Sequence, residues 1–318
     1  MPVQTFLPQE LSELEHMECY YLDYTIASKD AILAASRKLT GSGIFDGMHD
    51  AVRLRTCLRD EIYLFKPKKN FPVPDAPLTE YVHSTGKQCI TRLLRLMVGL
   101  QSELDGEVEI LTQVGSAFNE AASADLISAT QFRAITKLIL VARELRDTHS
   151  FYLKENYSTI GADLINKGMR DGSVVGLIGS GYMMNSFMPS LKPHAVSRFV
   201  WVNRSKENAR EVAKQYGLLQ SVPITFHNIE DGKNALQECD YIFAAVLDCG
   251  GVYEDCEFIN TQCIVDVSYP SLFASTVRGS IYSLRNTFFQ KMLREPVSKE
   301  SRRAVEADLE SYVDSLWK

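Results

Sequence analysis

Apolar and polar positions change rhythm about halfway along this chain. In the first part, Cys19 to Tyr24 reads as a short strand. Asp30 to Leu39 reads as a helix, with Ser28 placed to cap it. Val52 to Thr56 and Glu61 to Phe65 are strand-like runs on either side of Cys57, which puts that cysteine in a turn or loop at a strand end. Lys66 to Pro77 holds four prolines and reads as a loop. From Gly86 to about Leu153 the period becomes helical. Leu93, Leu94, Met97 and Leu100 share one face, and Phe132, Ile135, Leu138, Ile139 and Ala142 share another.

The later part alternates. Val174 to Ile178 is a buried-strand run that leads directly into Gly179-Ser180-Gly181 and then a helix-compatible stretch. Arg198 to Val202, Tyr241 to Val246 and Cys263 to Val267 read as further strands, with a helical pattern from Glu207 to Tyr216. Strand and helix in alternation predict a parallel, doubly wound sheet. The expected fold class is α/β: an N-terminal α+β domain, a dinucleotide-binding domain, and a charged, helix-prone tail from Ile281 to Lys318 broken near Pro296. The first 18 residues, acidic and proline-flanked, read as an extension. The expected boundaries are 1–18, 19–153, 154–280 and 281–318.

Composition narrows the function classes. With 318 residues the chain has room for two domains, and 45% hydrophobic with 23% charged residues is the balance of a globular protein. A net charge of -6 gives no global attraction to nucleic acid, so any such surface is local. The seven cysteines include no C-x-x-C pair and are odd in number. That argues against a metal knuckle or disulfide framework and for a reducing, cytoplasmic setting. No basic-then-apolar leader and no run long enough to span a bilayer is legible.

Two places carry chemistry. In Arg55-Thr56-Cys57-Leu58-Arg59, an arginine lies two residues from a thiol, and a nearby cation favours the nucleophilic thiolate. The same cysteine is also compatible with a small packing residue. Gly179, Ser180 and Gly181 sit at a strand-to-helix junction, where glycines let the backbone approach a pyrophosphate. Met184 stands where the third glycine of that fingerprint is usual. The next strand closes on Val202-Asn203-Arg204-Ser205. It lacks the acid that grips a ribose hydroxyl, and Arg204 with Ser205 suits a 2′-phosphate, which favours NADP. A thiol nucleophile and a hydride donor in one chain point to reduction of an acyl group through a thioester. Basic residues gather in the first half (Arg53, Arg55, Arg59, Lys66, Lys68, Lys69, Arg92, Arg95, Arg133, Lys137, Arg143, Arg146), as either a solvated face or a tRNA-phosphate surface.

These residues resemble the glutamyl-tRNA reductase family. Its Ser-Thr-Cys-Asn-Arg-Thr-Glu-Ile-Tyr block is similar to Arg55 through Tyr63. Its Gly-Leu-x-Ser and Gly-Glu-x-x-Ile-x-x-Gln-Val pieces are kept in order at Gly99 to Ser102 and Gly106 to Val114. Ala-Asn-Arg-Thr resembles Val202 to Ser205, and Asp-Leu-Ala-Val-Pro resembles Asp266 to Pro270. The resemblance implies that Cys57 attacks the ester of glutamyl-tRNA and that NADPH reduces the thioester to glutamate-1-semialdehyde, the first step of C5-pathway tetrapyrrole synthesis. It assigns substrate binding to Thr56, Arg59, Ser102, Glu107, Glu109 and Gln113, with Arg59 pairing with the glutamyl carboxylate. It assigns cofactor binding to Gly179, Ser180, Gly181, Asn203, Arg204 and Ser205, and no metal. It also implies glutamate-1-semialdehyde aminomutase as a partner.

The departures fall in the pocket. The family's Asn-His-Lys-Thr-Ala-Pro is Asp23 to Ser28 here, so Tyr24 replaces a histidine. Leu58 follows the cysteine in place of asparagine, and Arg92 stands where the family has a pocket histidine. Val108-Glu109 replaces Pro-Gln, and the Gly/Ser-rich stretch before the cofactor domain is not legible around Tyr152 to Gly161. The C-terminal dimerisation domain is expected to be absent, which leaves the oligomeric state open. Beside the reductase itself stand a paralogue acting on another aminoacyl-tRNA or acyl thioester, and a non-catalytic tRNA- or NADP-binding protein.

Overall fold

A computed structural model describes residues 5–43, 48–56, 58–65, 78–249, 251–273, 280–284, 288–292 and 296–317. The chain divides into two units, Met1–Lys154 with Glu295–Lys318, and Glu155–Arg294.

The first unit begins with α1 (Pro8–Glu15), β1 (Glu18–Asp23), α2 (Lys29–Gly41), β2 (Ala51–Thr56), β3 (Arg59–Leu64) and β4 (Val82–Thr85). The strands form an antiparallel sheet in the order β2-β3-β1-β4. The helices α3 (Gly86–Val98), α4 (Glu109–Ser123) and α5 (Ala129–Thr148) follow. The alternation expected of a strand decides what β3 does with each side chain. Ile62 and Leu64 join the cluster under α2, with Ile32, Ala35 and Leu39. Tyr63 joins the larger core built by α3, α4 and α5. Ser28 caps α2 by accepting from Ala31 N, as its sequence predicts. Helix α3 stops at Gly99, whose φ of +92° closes the helix with a left-handed residue.

Residues 5–18, the described part of the expected extension, pack into the first unit. Leu14 and Met17 are buried in the main core. Glu10 is buried as well, accepting from Lys137 Nζ at 2.6 Å and Leu7 N at 2.8 Å.

The second unit comprises α6 (Tyr157–Gly168), β5 (Ser173–Ile178), α7 (Tyr182–Phe187), β6 (Val196–Val202), α8 (Lys206–Gln215), β7 (Ile224–His227), α9 (Gly232–Leu236), β8 (Tyr241–Ala244), β9 (Cys263–Asp266), β10 (Ser280–Ser283) and α10 (Phe288–Met292). All six strands are parallel, in the order β10-β9-β8-β5-β6-β7. This is the doubly wound order, and its crevice lies beyond the carboxyl ends of β5 and its neighbours. The α/β class is as expected. Ile281, expected to open a helical tail, instead lies in the edge strand β10. Helix α6 was not legible because its Gly161 is a packing site: a Cβ there would lie 2.8 Å from Val265.

The chain then rejoins the first unit as α11 (Lys299–Leu316), capped by Ser298. Its Val305, Leu309, Tyr312 and Val313 are buried in the core of α3 and α5. Each buried Val or Leu there contributes about 1.5–3 kcal/mol over leaving it exposed. The expected loop from Lys66 to Pro77 lies outside the described residues.

Candidate active site

The β2–β3 hairpin closes with Thr56 opposite Arg59. Thr56 Oγ1 accepts from Leu58 N at 3.2 Å, and Leu58 O accepts from Tyr24 N at 3.0 Å, tying this end of the hairpin to the end of β1. Cys57, the expected nucleophile, lies outside the described residues. Leu58, in the family's asparagine position, is buried.

Arg59 and Glu61 follow the alternation of β3 toward the helices, and both are buried. Arg59 Nη2 donates to Gln101 O at 2.6 Å, and Nη1 to Glu61 Oε1 at 3.5 Å. Glu61 Oε2 accepts from Tyr63 OH at 2.5 Å. Arg92, from α3, donates through Nη2 to both Asp23 Oδ2 (2.6 Å) and Glu61 Oε1 (2.7 Å). Its guanidinium lies 3.3 Å from the centre of the Tyr21 ring. A line of charge Asp23–Arg92–Glu61–Arg59 therefore runs beneath the hairpin, each member neutralised by the next, as buried charge requires. Burial alone would raise the Asp23 carboxyl, but bonds from Thr25 and Arg92 outweigh it and hold the group below its ordinary value. Arg92 is held firmly protonated by Glu61 and Asp23 despite its burial.

The turn between α3 and α4, residues 99–107, brings the second motif to the first. Gln101 O meets Arg59, and Ser102 and Glu107 are buried beside it. Burial pushes the Glu107 carboxyl above its ordinary value, against the opposing pull of Arg59. Two donors here, Arg59 Nε and Arg92 Nε, are buried without a hydrogen-bond partner among the described residues, while Ser102 lies within reach of the Glu107 carboxyl. Unpaired buried donors are costly, and a bound polar group is one way to satisfy them. Arg146 closes the turn from α5, donating to Met97 O at 3.2 Å and Gly106 O at 2.7 Å. Burial lowers its guanidinium to about 10.

Of the residues expected to bind substrate, the fold gathers Arg59, Ser102 and Glu107. Thr56 is spent on the hairpin turn. Glu109 is buried on α4 near Arg146, and Gln113 lies one helical turn further along without a bond to the cluster. Sequence reading missed Glu61, Tyr63 and Asp23 as members. The signal for Glu61 and Tyr63 was their two-residue spacing from Arg59 on β3, whereas Asp23 arrives from β1 through strand pairing. Of the basic residues read as either a solvated face or a phosphate surface, Arg59, Arg92 and Arg146 are buried instead, and Arg53 is half-buried and pairs with Asp60 at 2.5 Å.

In the second unit, Gly179 has φ +104°, and a Cβ there would lie 2.4 Å from Ala245 O, so only glycine fits. Its carbonyl accepts from Trp201 Nε1 at 2.8 Å. Asn203 Nδ2 donates to Ser180 Oγ (2.8 Å) and Ser205 O (2.7 Å), joining the glycine turn to the end of β6. A Cβ on Gly181, the cap of α7, would meet nothing within 4 Å. That open space before a helix start is the contour a pyrophosphate requires. Met184 is fully buried, filling the helix–sheet contact that the usual third glycine makes close. Arg204 is exposed, and Ser205 caps α8 by accepting from Asn208 N at 3.2 Å. The glycine turn and its open space fit a dinucleotide. Among the described residues no cluster of three metal-ligating side chains occurs, and no helix is long and apolar enough to cross a membrane.

A doubly wound dinucleotide-type unit is inserted into an α+β unit that buries a cluster of charged and polar side chains. Residues 15–149 match the family model described as glutamyl-tRNAGlu reductase, N-terminal domain, and residues 163–278 match that described as shikimate / quinate 5-dehydrogenase. The chain is similar to glutamyl-tRNA reductases over more than half of its length. It is 26% identical over 231 residues to the glutamyl-tRNA reductase of Pyrobaculum neutrophilum, covering 70% of this chain and 57% of that one. It is 30% identical over 172 residues to that of Methanosphaera stadtmanae, covering 52% and 42%. The chain thus spans about half the length of these curated relatives. The solved glutamyl-tRNA reductase of Methanopyrus kandleri is 18% identical with a TM-score of 0.46, over 95% of this chain and 79% of that one.

Proposed function

We propose that this protein reduces glutamyl-tRNA to glutamate-1-semialdehyde with NADPH, through a thioester on Cys57. The observation that carries the reading is the bond from Arg59 Nη2 to Gln101 O, which joins the hairpin motif around Cys57 to the motif holding Ser102 and Glu107. Two motifs some forty residues apart build one buried polar cluster (the bond spans 42 residues).

The Cys57 thiolate attacks the ester carbonyl carbon of the aminoacyl-tRNA. The carbon–oxygen bond to the terminal ribose breaks, that oxygen takes a proton, and the acyl group remains on sulfur. Burial raises the Glu107 carboxyl above its ordinary value, and in this reading it is the group that passes the proton to the leaving oxygen. Arg92, in the place of the family's histidine, cannot take that role, because Glu61 and Asp23 hold it protonated. Arg59 and Arg92 offer the donors that orient the acyl group. Gly179, Ser180, Gly181 and Asn203 would hold the pyrophosphate, and Arg204 with Ser205 the 2′-phosphate. NADPH, when bound, supplies the hydride that reduces the thioester to the aldehyde. The aminomutase that consumes this aldehyde is the expected partner. Purified protein with glutamyl-tRNA and NADPH should form semialdehyde and NADP, and Cys57→Ser should form neither. A wild type that oxidises no NADPH in the presence of charged tRNA would overturn the reading.

A further inference from the structure

The 99–107 turn carries Ser102 and Glu107 and sets Gln101 O against Arg59, so its placement determines the pocket. Gly106 N donates to Gly99 O at 3.2 Å and closes the base of the turn. Arg146 holds Met97 O and Gly106 O from α5. A third support comes from α11. Arg302 Nη1 pairs with the Asp105 carboxylate, and Nη2 donates to Leu100 O at 3.4 Å, so one guanidinium spans the turn from its start to its end. Val297 lies against Gly106 so closely that a Cβ there would be 2.9 Å from its side chain.

Arg302 stands on a rigid platform. Beyond the buried Val305, Leu309, Tyr312 and Val313, Glu306 accepts from Arg95 at 2.5 Å. Ser301 Oγ donates to His149 O at 2.5 Å, and Asp308 pairs with His149 at 3.0 Å. The second unit ends at Arg294, and Val297 and Arg302 follow within eight residues. The segment that leaves the cofactor-type unit is therefore the one that braces the substrate turn.

We propose that Arg302 is a positioning residue for the acyl pocket: through Asp105 and Leu100 O it fixes the 99–107 turn so that Gln101 and Glu107 stay against Arg59. This rests on the aminoacyl-reductase reading above. A turn released from Arg302 keeps its covalent path but samples placements in which Arg59 loses its Gln101 partner, and substrate binding weakens first.

The test compares wild type, Arg302→Ala, Arg302→Lys and the charge-swapped Arg302→Asp with Asp105→Arg, using glutamyl-tRNA and NADPH. Arg302→Ala should raise KM for glutamyl-tRNA about tenfold while kcat and NADPH affinity, read by fluorescence titration, each change by less than about threefold. Arg302→Lys and the swapped pair should recover most of the loss, which general damage to the fold would not. An active wild type whose Arg302→Ala form keeps its KM, or loses affinity for NADPH to the same degree, overturns the proposal alone. A wild type that forms no aldehyde overturns the aminoacyl-reductase reading, and the proposal with it.

Discussion

The carboxylate of Asp23 and the guanidinium of Arg92 lie 2.6 Å apart, although 69 residues separate them in sequence. Both stand where the resembling family has other residues, asparagine and histidine. In this chain the two departures form one buried ion pair, whose arginine also donates to Glu61 at 2.7 Å.

Removing one partner of such a pair strands the other's charge. Arg92→Leu should cost about 3–5 kcal/mol in urea unfolding, because the buried Asp23 carboxylate then loses its cation. The double variant Asp23→Asn with Arg92→His should recover at least about half of that loss, since it removes both charges together. Asp23 also sets an acid limit. Its lowered carboxyl contributes stability that is complete above the ordinary value of 3.8 and is lost as pH falls through the folded value. A melting-temperature series across acid pH should show this loss in wild type and not in Asp23→Asn.

Glu107 has the opposite sign. Its carboxyl is raised above the ordinary 4.5, so folding favours the protonated form. Stability is complete below 4.5 and declines as pH rises through the folded value. Glu107→Gln removes this decline, so the variant should be more stable than wild type at pH 7 and no more stable at pH 4. Its kcat should nonetheless fall by about 100-fold or more, because the proton carrier is gone.

Two glycines of the cofactor turn should fail in different ways. Gly179→Ala forces a side chain into φ +104° and against Ala245 O, so it should lower the melting temperature as well as NADPH affinity, at about 1–3 kcal/mol of strain or more. Gly181 has an ordinary φ of -81° and open space before it. Gly181→Ala should keep the melting temperature within a few degrees and weaken NADPH about tenfold or more, by standing where the pyrophosphate lies.

Arg146 is a buried brace whose loss leaves Met97 O and Gly106 O without its hydrogen bonds. Arg146→Met should cost about 2–4 kcal/mol in urea unfolding. It should also speed amide exchange within residues 99–107.

Much of this was legible because the signals are local. The buried-strand run from Val174 to Ile178 leading into a glycine turn, the Ser28 cap, and the alternation across Val52 to Thr56 all report backbone geometry directly. The edge strands were not legible. β7 is four half-buried residues, and β10 is short enough that its neighbours' helix propensity prevails in any window. Packing was illegible for another reason. Nothing local tells that Arg92 and Arg146 point inward while ordinary arginines point out, because the partners that neutralise them come from β1, β3 and the 99–107 turn. The role of α11 depends in the same way on a return of the chain to a unit it left at Lys154.

The central claim concerns one sulfur, and covalent trapping reads it directly. Protein mixed with glutamyl-tRNA in the absence of NADPH, quenched in acid and weighed by intact-mass spectrometry, should gain one glutamyl group, lost on hydroxylamine treatment and mapped by digestion to the peptide containing Cys57. Added NADPH should discharge it as the aldehyde. A chain that gains no mass from charged tRNA, or gains it on a residue other than Cys57, contradicts the account.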